Sequence, residues 1–204
     1  MTTRETKAHL SDRIASAAAR LFLDAGYHAT GVAAIMEEAD VRPGSFYNCF
    51  RSKEELLHAV LQWYEDHLHE LVIGPIEQAE PDPLKRIFAL MSWYAERLSE
   101  TNCRIGCPIG NLALELSHTM PSIQPALDRN FRQWAAAIRS WLDDAKPLLA
   151  QDTNTDELSV FVLTVMEGGI MQARVSGSIA PFDASVRVLR KHIDLLKLRP
   201  DKAT

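Results

Sequence analysis

Two groups of residues in this 204-residue chain have types and spacings that could do chemistry. The first lies between Thr30 and Lys53 and comprises Thr30, Arg42, Pro43, Gly44, Ser45, Tyr47, Asn48 and Lys53. It pairs no nucleophile with a base. It is instead a set of hydroxyl, amide, guanidinium and ammonium donors with a glycine among them, the inventory for gripping a phosphate backbone and a base edge. Tyr47 can donate its hydroxyl to a phosphate, and Asn48 can pair with an adenine edge or a phosphate. Gly44 lets backbone approach a phosphate closely. The second group is the loop Cys103-Arg104-Ile105-Gly106-Cys107-Pro108-Ile109-Gly110-Asn111. A thiol near Arg104 and just ahead of a short helix can have a lowered pKa and react as thiolate, so that alkylation or oxidation adds bulk or charge to a packed domain. The alternative is an inert cysteine that packs like a small hydrophobe. Trp63, Trp93, Tyr94 and Trp134 form a further set, either the lining of a ligand pocket or ordinary core.

Other chemistries fall away. His67 and His69 are two residues apart and point to different helix faces, so no metal site is expected. Cys107 with a distant His118 is the one nucleophile–base pair on offer, and nothing in their spacing specifies catalysis; neither an enzyme nor a cofactor is expected. Three cysteines, with no apolar leader in Met1-Thr2-Thr3-Arg4-Glu5-Thr6-Lys7, imply reduced thiols and a cytoplasmic location. No run of about 18 apolar residues occurs, so no membrane is expected as a partner. The net charge of −5 does not suggest nucleic acid either, and residues 1–55 hold seven Lys/Arg against eight Asp/Glu. Any DNA reading must rest on where a few cations and helix ends are placed.

The elements that position these residues are helical throughout. Leu10, Ile14, Ala17, Leu21 and Ala25 mark one face of a first helix, stopped by Gly26. Thr30 offers an N-cap hydroxyl for a short second helix to about Ala39. Asp40-Val41-Arg42 is a tight turn, and Pro43 suits the first position of a third helix. On that helix Phe46 and Phe50 face the core, leaving Ser45, Tyr47 and Asn48 outward. Ser52 with Glu55 is a capping box that opens a long helix through Leu71, ended near Pro75. Further helices are expected over 83–100, 109–118, from 123 to before Pro147, over 153–176 and over 182–198. The architecture is all-α, with about nine helices. Of the last pair, within 158–198, the final helix carries one stripe, whereas the one before it carries an apolar surface broader than that, together with Gly168-Gly169, as suits a helix with neighbours on two sides.

Two short helices joined by a three-to-four-residue turn and braced by a longer one describe a helix-turn-helix. The run from Thr30 to Leu57, with Ile35, Ala39, Val41, Gly44, Phe46-Tyr47, Phe50 and Ser52-Lys53-Glu54, resembles the signature of the TetR/AcrR family of transcriptional regulators. Asp40 stands where the family has a turn glycine, and Arg42 replaces its Ser/Thr cap. The resemblance implies a helix-turn-helix DNA-binding domain over 1–55 and an effector-binding and dimerisation domain over 56–204. It implies backbone contacts from Thr30, Gly44, Tyr47 and Lys53, and a homodimer through the last two helices bound to an inverted-repeat operator in double-stranded DNA. A small-molecule or electrophile effector would tilt the long helix, change the separation of the recognition helices and release the repressor. The loop pattern Gly-Cys-x-x-Gly-Asn-x-Ala-x-Glu is similar to a NemR-like branch of electrophile sensors, which makes Cys107, with Cys103, the candidate trigger.

Overall fold

The computed structural model describes residues 6–198, and its regular elements are all helical. The helices are α1 (Lys7–Ala25), α2 (Val32–Glu38), α3 (Pro43–Cys49), α4 (Lys53–Leu68), α5 (Gly74–Ala79), α6 (Pro83–Glu100), α7 (Pro108–Leu116), α8 (Gln124–Asp144), α9 (Thr155–Ser176) and α10 (Ala180–Leu196). A π-helical turn, His69–Ile73, joins α4 to α5 without a break, so the described residues form nine separate rods and the all-α expectation stands. Residues 1–5, part of the polar start that argued against a leader, lie outside the described residues, as do 199–204. The chain folds into two compact units that interleave in sequence: residues 6–68 with Cys107–Phe131, and His69–Gly106 with residues 132–198.

In the first unit α1 is the hub, packed on α2, α3, α4 and α7. Its buried face is Ile14, Ala15, Ala17, Ala18, Ala19 and Phe22. This corrects the sequence stripe, because Leu21 is only half-buried and Ala25 is exposed. Alanines turn inward instead, since small side chains let several helices approach one rod. Seven-residue helices cannot hold themselves; α2 and α3 are pinned by the fully buried Ile35 and Phe46. Between them the chain turns through Asp40 at φ 49. Asp40 N–H bonds to the Glu37 carbonyl (3.0 Å) and Val41 N–H to that of Met36 (2.9 Å), a Schellman motif with aspartate in the left-handed place. Arg13 of α1 reaches across to donate to the carbonyls of Ala39 (2.6 Å) and Asp40 (3.3 Å).

In the second unit α9 packs on α10 and α6. Gly169 is where α10 comes closest, since a Cβ there would sit 3.0 Å from the Phe182 ring. Around Gly168 there is open space. By length and composition alone α9 could span a bilayer, although Glu167 and Arg174 interrupt it. Packing accounts for the apolarity of one face, where Val162, Met166, Ile170 and Ala173 are buried, and Asn154 caps the first turn by accepting from Asp156 and Glu157 N–H. Pro75 does not end the α4 region as expected. It enters the first turn of α5, where its missing N–H is harmless, and the π turn ahead of it absorbs the change in register. Trp141, fully buried, donates its indole N–H to Glu77 (2.7 Å). Asp143 accepts from Lys146 (2.8 Å) and Thr155 (2.7 Å), fastening the end of α8 to the start of α9.

Two outcomes follow. Asp40→Gly relieves a left-handed side chain at the cost of extra unfolded-chain entropy, and should raise stability by about 0.5 kcal/mol in urea unfolding. The hydrogen bonds to Asp143 from Lys146 and Thr155, then the charges of Lys146 and Arg139, pull its carboxyl down from 3.8 to about 2. A depressed native value means that its stabilisation is complete above the unfolded value and lost as pH falls through the native one. Asp143→Asn should therefore flatten the dependence of the urea midpoint on pH between about 4 and 2, while the wild type keeps it.

Candidate helix-turn-helix site

The recognition helix is α3, and the period of the helix separates its two faces. Phe46 and Phe50 point inward, with ring centroids 6.1 Å apart, as their spacing requires. Pro43 sits in the first turn, as expected, and Arg42 is the N-cap residue with no side-chain cap bond. The outward face carries Arg42, Pro43, Gly44, Ser45, Tyr47 and Asn48, all exposed. Tyr47 is 56% exposed although its ring edge packs on Phe46 at 5.3 Å, so the hydroxyl is held outward on a fixed ring. No atom lies within 4 Å of a Cβ built on Gly44, leaving its backbone open to a close approach. Cys49 closes the helix half-buried.

Two other candidate contacts are placed differently. Thr30 is buried and does not cap α2; the N-cap is Gly31, without a side-chain bond. The Thr30 hydroxyl turns back to donate to the carbonyls of Gly26 (2.7 Å) and Leu21 (3.3 Å), groups left over at the end of α1. Lys53 opens α4 behind the capping box, in which Glu55 N–H bonds to Ser52 Oγ (3.0 Å) and the Glu55 carboxylate accepts from Arg51 N–H (2.7 Å). Its ammonium donates to the Tyr27 carbonyl and lies over the Tyr27 ring, 4.1 Å from the centroid. Burial lowers the Lys53 pKa, against the charge of Glu115, which raises it.

A further residue of this site went unread in the sequence. Glu115 of α7 accepts the N–H groups of Tyr27 (2.9 Å) and His28 (2.7 Å) at the corner between α1 and α2. It had been read only as the end of the Gly-Cys-x-x-Gly-Asn pattern; no local rule pairs residues 88 apart. Arg13 was missed for the same reason.

The effector candidates divide between the units. In the second, Tyr94 and Trp134 are buried with ring centroids 6.1 Å apart, and Arg97 lies 3.4 Å over the Trp93 ring. Cys103, also there, is buried at φ 59, a left-handed position after α6. In the first, Trp63 stacks on His67 at 4.6 Å. Cys107 is 2% exposed and is the N-cap of α7, its Sγ accepting Gly110 N–H at 3.4 Å. Burial raises the pKa of Tyr64, with Cys107 adding to the shift. All three cysteines are thiols. No group of metal-ligating side chains occurs among the described residues.

A buried aromatic anchor, a polar outward face and a short turn under a longer bracing helix define a helix-turn-helix DNA-binding regulator. The signature of bacterial regulatory proteins of the tetR family matches residues 14–60, and that of the LmrA/YxaF-like transcriptional regulator C-terminal domain matches residues 83–188. The transcriptional repressor DhaR of Mycobacterium sp. (strain GP1) is 30% identical over 172 residues, covering 83% of this chain and 85% of its own. A crystal structure of a TetR regulatory protein from Rhodobacter sphaeroides matches with a TM-score of 0.80 at 25% identity, over 92% of this chain and 99% of its own. A cysteine mutant of the TetR-family regulator CifR, complexed with 26-base-pair operator DNA, matches with a TM-score of 0.72 at 25% identity, over 88% and 95%. This chain belongs to the TetR family of helix-turn-helix transcriptional regulators, whose fold and chemistry are not those of enzymes.

The position of Thr30 sets a stability test. Thr30→Val keeps the shape but strands the Gly26 carbonyl, and should cost about 1–2 kcal/mol in urea unfolding. Thr30→Ser, which keeps the hydroxyl, should lose less than half of that.

Proposed function

We propose that this regulator is a homodimeric repressor, acting in the cytoplasm, that binds an inverted-repeat operator through residues 1–55 and is released by a small molecule held in residues 56–204. One observation carries the DNA half: the six outward residues of α3 are polar or small and exposed, while its two phenylalanines are buried. Arg42 and Asn48 are suited to base edges, and Tyr47, Ser45 and the Gly44 backbone to phosphates. Pro43 holds the first turn open to the groove. Lys53 keeps further ammonium protons to direct at a phosphate, and Thr30 acts through the α1–α2 corner that it ties. Support for a dimer comes from α9 and α10, which leave Val160, Phe161, Met171, Val175, Val188 and Leu195 exposed beside the open space at Gly168. An apolar face of that extent is unusual on a monomer. The buried pair Tyr94 and Trp134, with Trp93, favours an aromatic or apolar effector in the second unit. The effector needs only to prefer the state that cannot hold DNA; tight binding without that preference shifts nothing.

A second reading is favoured by the placement of Cys107. A sulfur at a helix N-cap that already accepts an N–H is in a setting that stabilises thiolate, and an electrophile could replace the non-covalent ligand. Cys103, nearby in sequence, is the second thiol of this reading.

Fluorescence anisotropy with DNA from upstream of the gene tests the first reading. Binding should be sequence-specific and should weaken steeply with salt. Tyr47→Phe and Asn48→Ala should each cost about tenfold or more in affinity without altering the melting temperature. Failure to bind any such DNA at low salt would remove the repressor reading. Val175→Arg with Val188→Arg should give a monomer in sedimentation and abolish operator binding; a dimer unaffected by both changes would place the interface elsewhere. Release of wild-type protein by N-ethylmaleimide, absent in Cys107→Ser, would establish the thiol trigger, and equal release of both would eliminate it.

A further inference from the structure

We infer that Glu115 is a positioning residue for operator recognition: from α7 its carboxylate clamps the α1–α2 corner at residues 26–28, and so fixes where the recognition helix stands. The inference rests on the repressor reading above and names the place in the first unit where regulation would enter. Both carboxylate oxygens are used, one on Tyr27 N–H and one on His28 N–H, at 2.9 and 2.7 Å. Charge-assisted pairs of this kind are about twice as strong as neutral ones. The corner is also shaped to receive the carboxylate. Gly26 sits at φ 86, and a Cβ there would lie 3.0 Å from Glu115 Oε2. Two carbonyls of the corner are committed as well: that of Tyr27 to Lys53 of α4, and that of Gly26 to Thr30.

His28 is exposed, so water could have satisfied its N–H, whereas Tyr27 is buried and its N–H needs a partner within the protein. The half-buried Glu115 carboxylate meets that need. What it adds is a direction, because the corner is held by Lys53 from α4 and by Glu115 from α7. The segment carrying Glu115 is fastened to α4 at other points too. Ser122 Oγ donates to Glu54 (2.7 Å), and the buried Asn130 amide donates to the Leu61 carbonyl (3.2 Å). Any displacement of α7 against α4 therefore pulls on the corner, which lies four residues ahead of α2. α2 and α3 have no independent stability with which to resist.

The test uses the full-length protein, with amide hydrogen exchange by NMR and anisotropy on a duplex selected by the wild type. A second duplex has its half-sites moved apart by one base pair. In Glu115→Gln, which is isosteric, exchange at Tyr27 and His28 should rise by about tenfold or more, the worth of one charge-assisted hydrogen bond, while amides of α9 and α10 keep wild-type protection. Affinity for the selected duplex should fall by a similar factor, and discrimination between the two spacings should be lost. Glu115→Asp should impair each readout less than Glu115→Ala. Wild-type exchange and spacing discrimination in the Gln variant would overturn the inference, as would a loss of protection spread over both units, which marks a merely structural role. A wild type that selects no duplex overturns the repressor reading itself, an outcome visible before any variant is made.

Discussion

The helix-turn-helix unit depends on α1, because its two short helices cannot exist without it. Seven residues make fewer than two full turns, and the backbone entropy of fixing them is not recovered by the hydrogen bonds they close. Burial must supply the difference. Ile35 and Phe46 provide it, each from the middle of its helix, and they can do so because α1 presents alanines where a larger side chain would hold its neighbours off. The alanines leave few atoms with which to fix angles. Polar ties do that instead: Arg13 on the turn carbonyls, Thr30 on the end of α1, Lys53 and Glu115 on the corner. Each uses a backbone group at a helix end or in the corner between helices, so the cost of interrupting the helix becomes the means of orienting it.

The electrostatics follow the same economy. A chain with net charge −5 gains no bulk attraction to DNA, and several cations of the first unit are already engaged within it. Arg13 holds the turn, Arg20 pairs with Glu38 at 3.0 Å, and Lys53 lies against Tyr27. Lys7, Arg42, Arg51 and the neutral donors of α3 face outward among the described residues of this unit. Affinity built from so few charges depends on shape and base contacts more than on bulk attraction, which favours discrimination over nonspecific binding.

What the sequence made legible was local. The turn, the proline at the start of α3, the capping box and the four-residue spacing of the phenylalanines are each set by neighbours within a few positions, and the structure has them where those rules put them. Thr30 was misread because an N-cap and a back-bond to the preceding helix ask for the same hydroxyl, and only the packing of α1 decides between them. Pro75 was misread because a π turn has no compositional mark. Leu21 and Ala25 fitted the helical period but not the packing, since the period says how wide a face is and not where it is centred. Glu115 and Arg13 were invisible for a plainer reason: their partners are 88 and 26 residues away, and one sequence carries no record of such pairs.

The thiols sharpen what a trigger in this fold has to do. Cys107 and Cys103 are both buried, the one capping α7 and the other at a left-handed φ after α6. Buried sulfur reacts only from an opened state, so an electrophile would trap whatever minor conformation exposes it, just as a non-covalent effector would stabilise whatever conformation fits it. A trigger at Cys107 would work from a state in which α7 is loosened, and Glu115 rides on that helix eight residues after Cys107. The first turn of α7 and its grip on the α1–α2 corner are thus two ends of one nine-residue rod. A rod so short moves as a piece, so disturbing its cap disturbs its clamp.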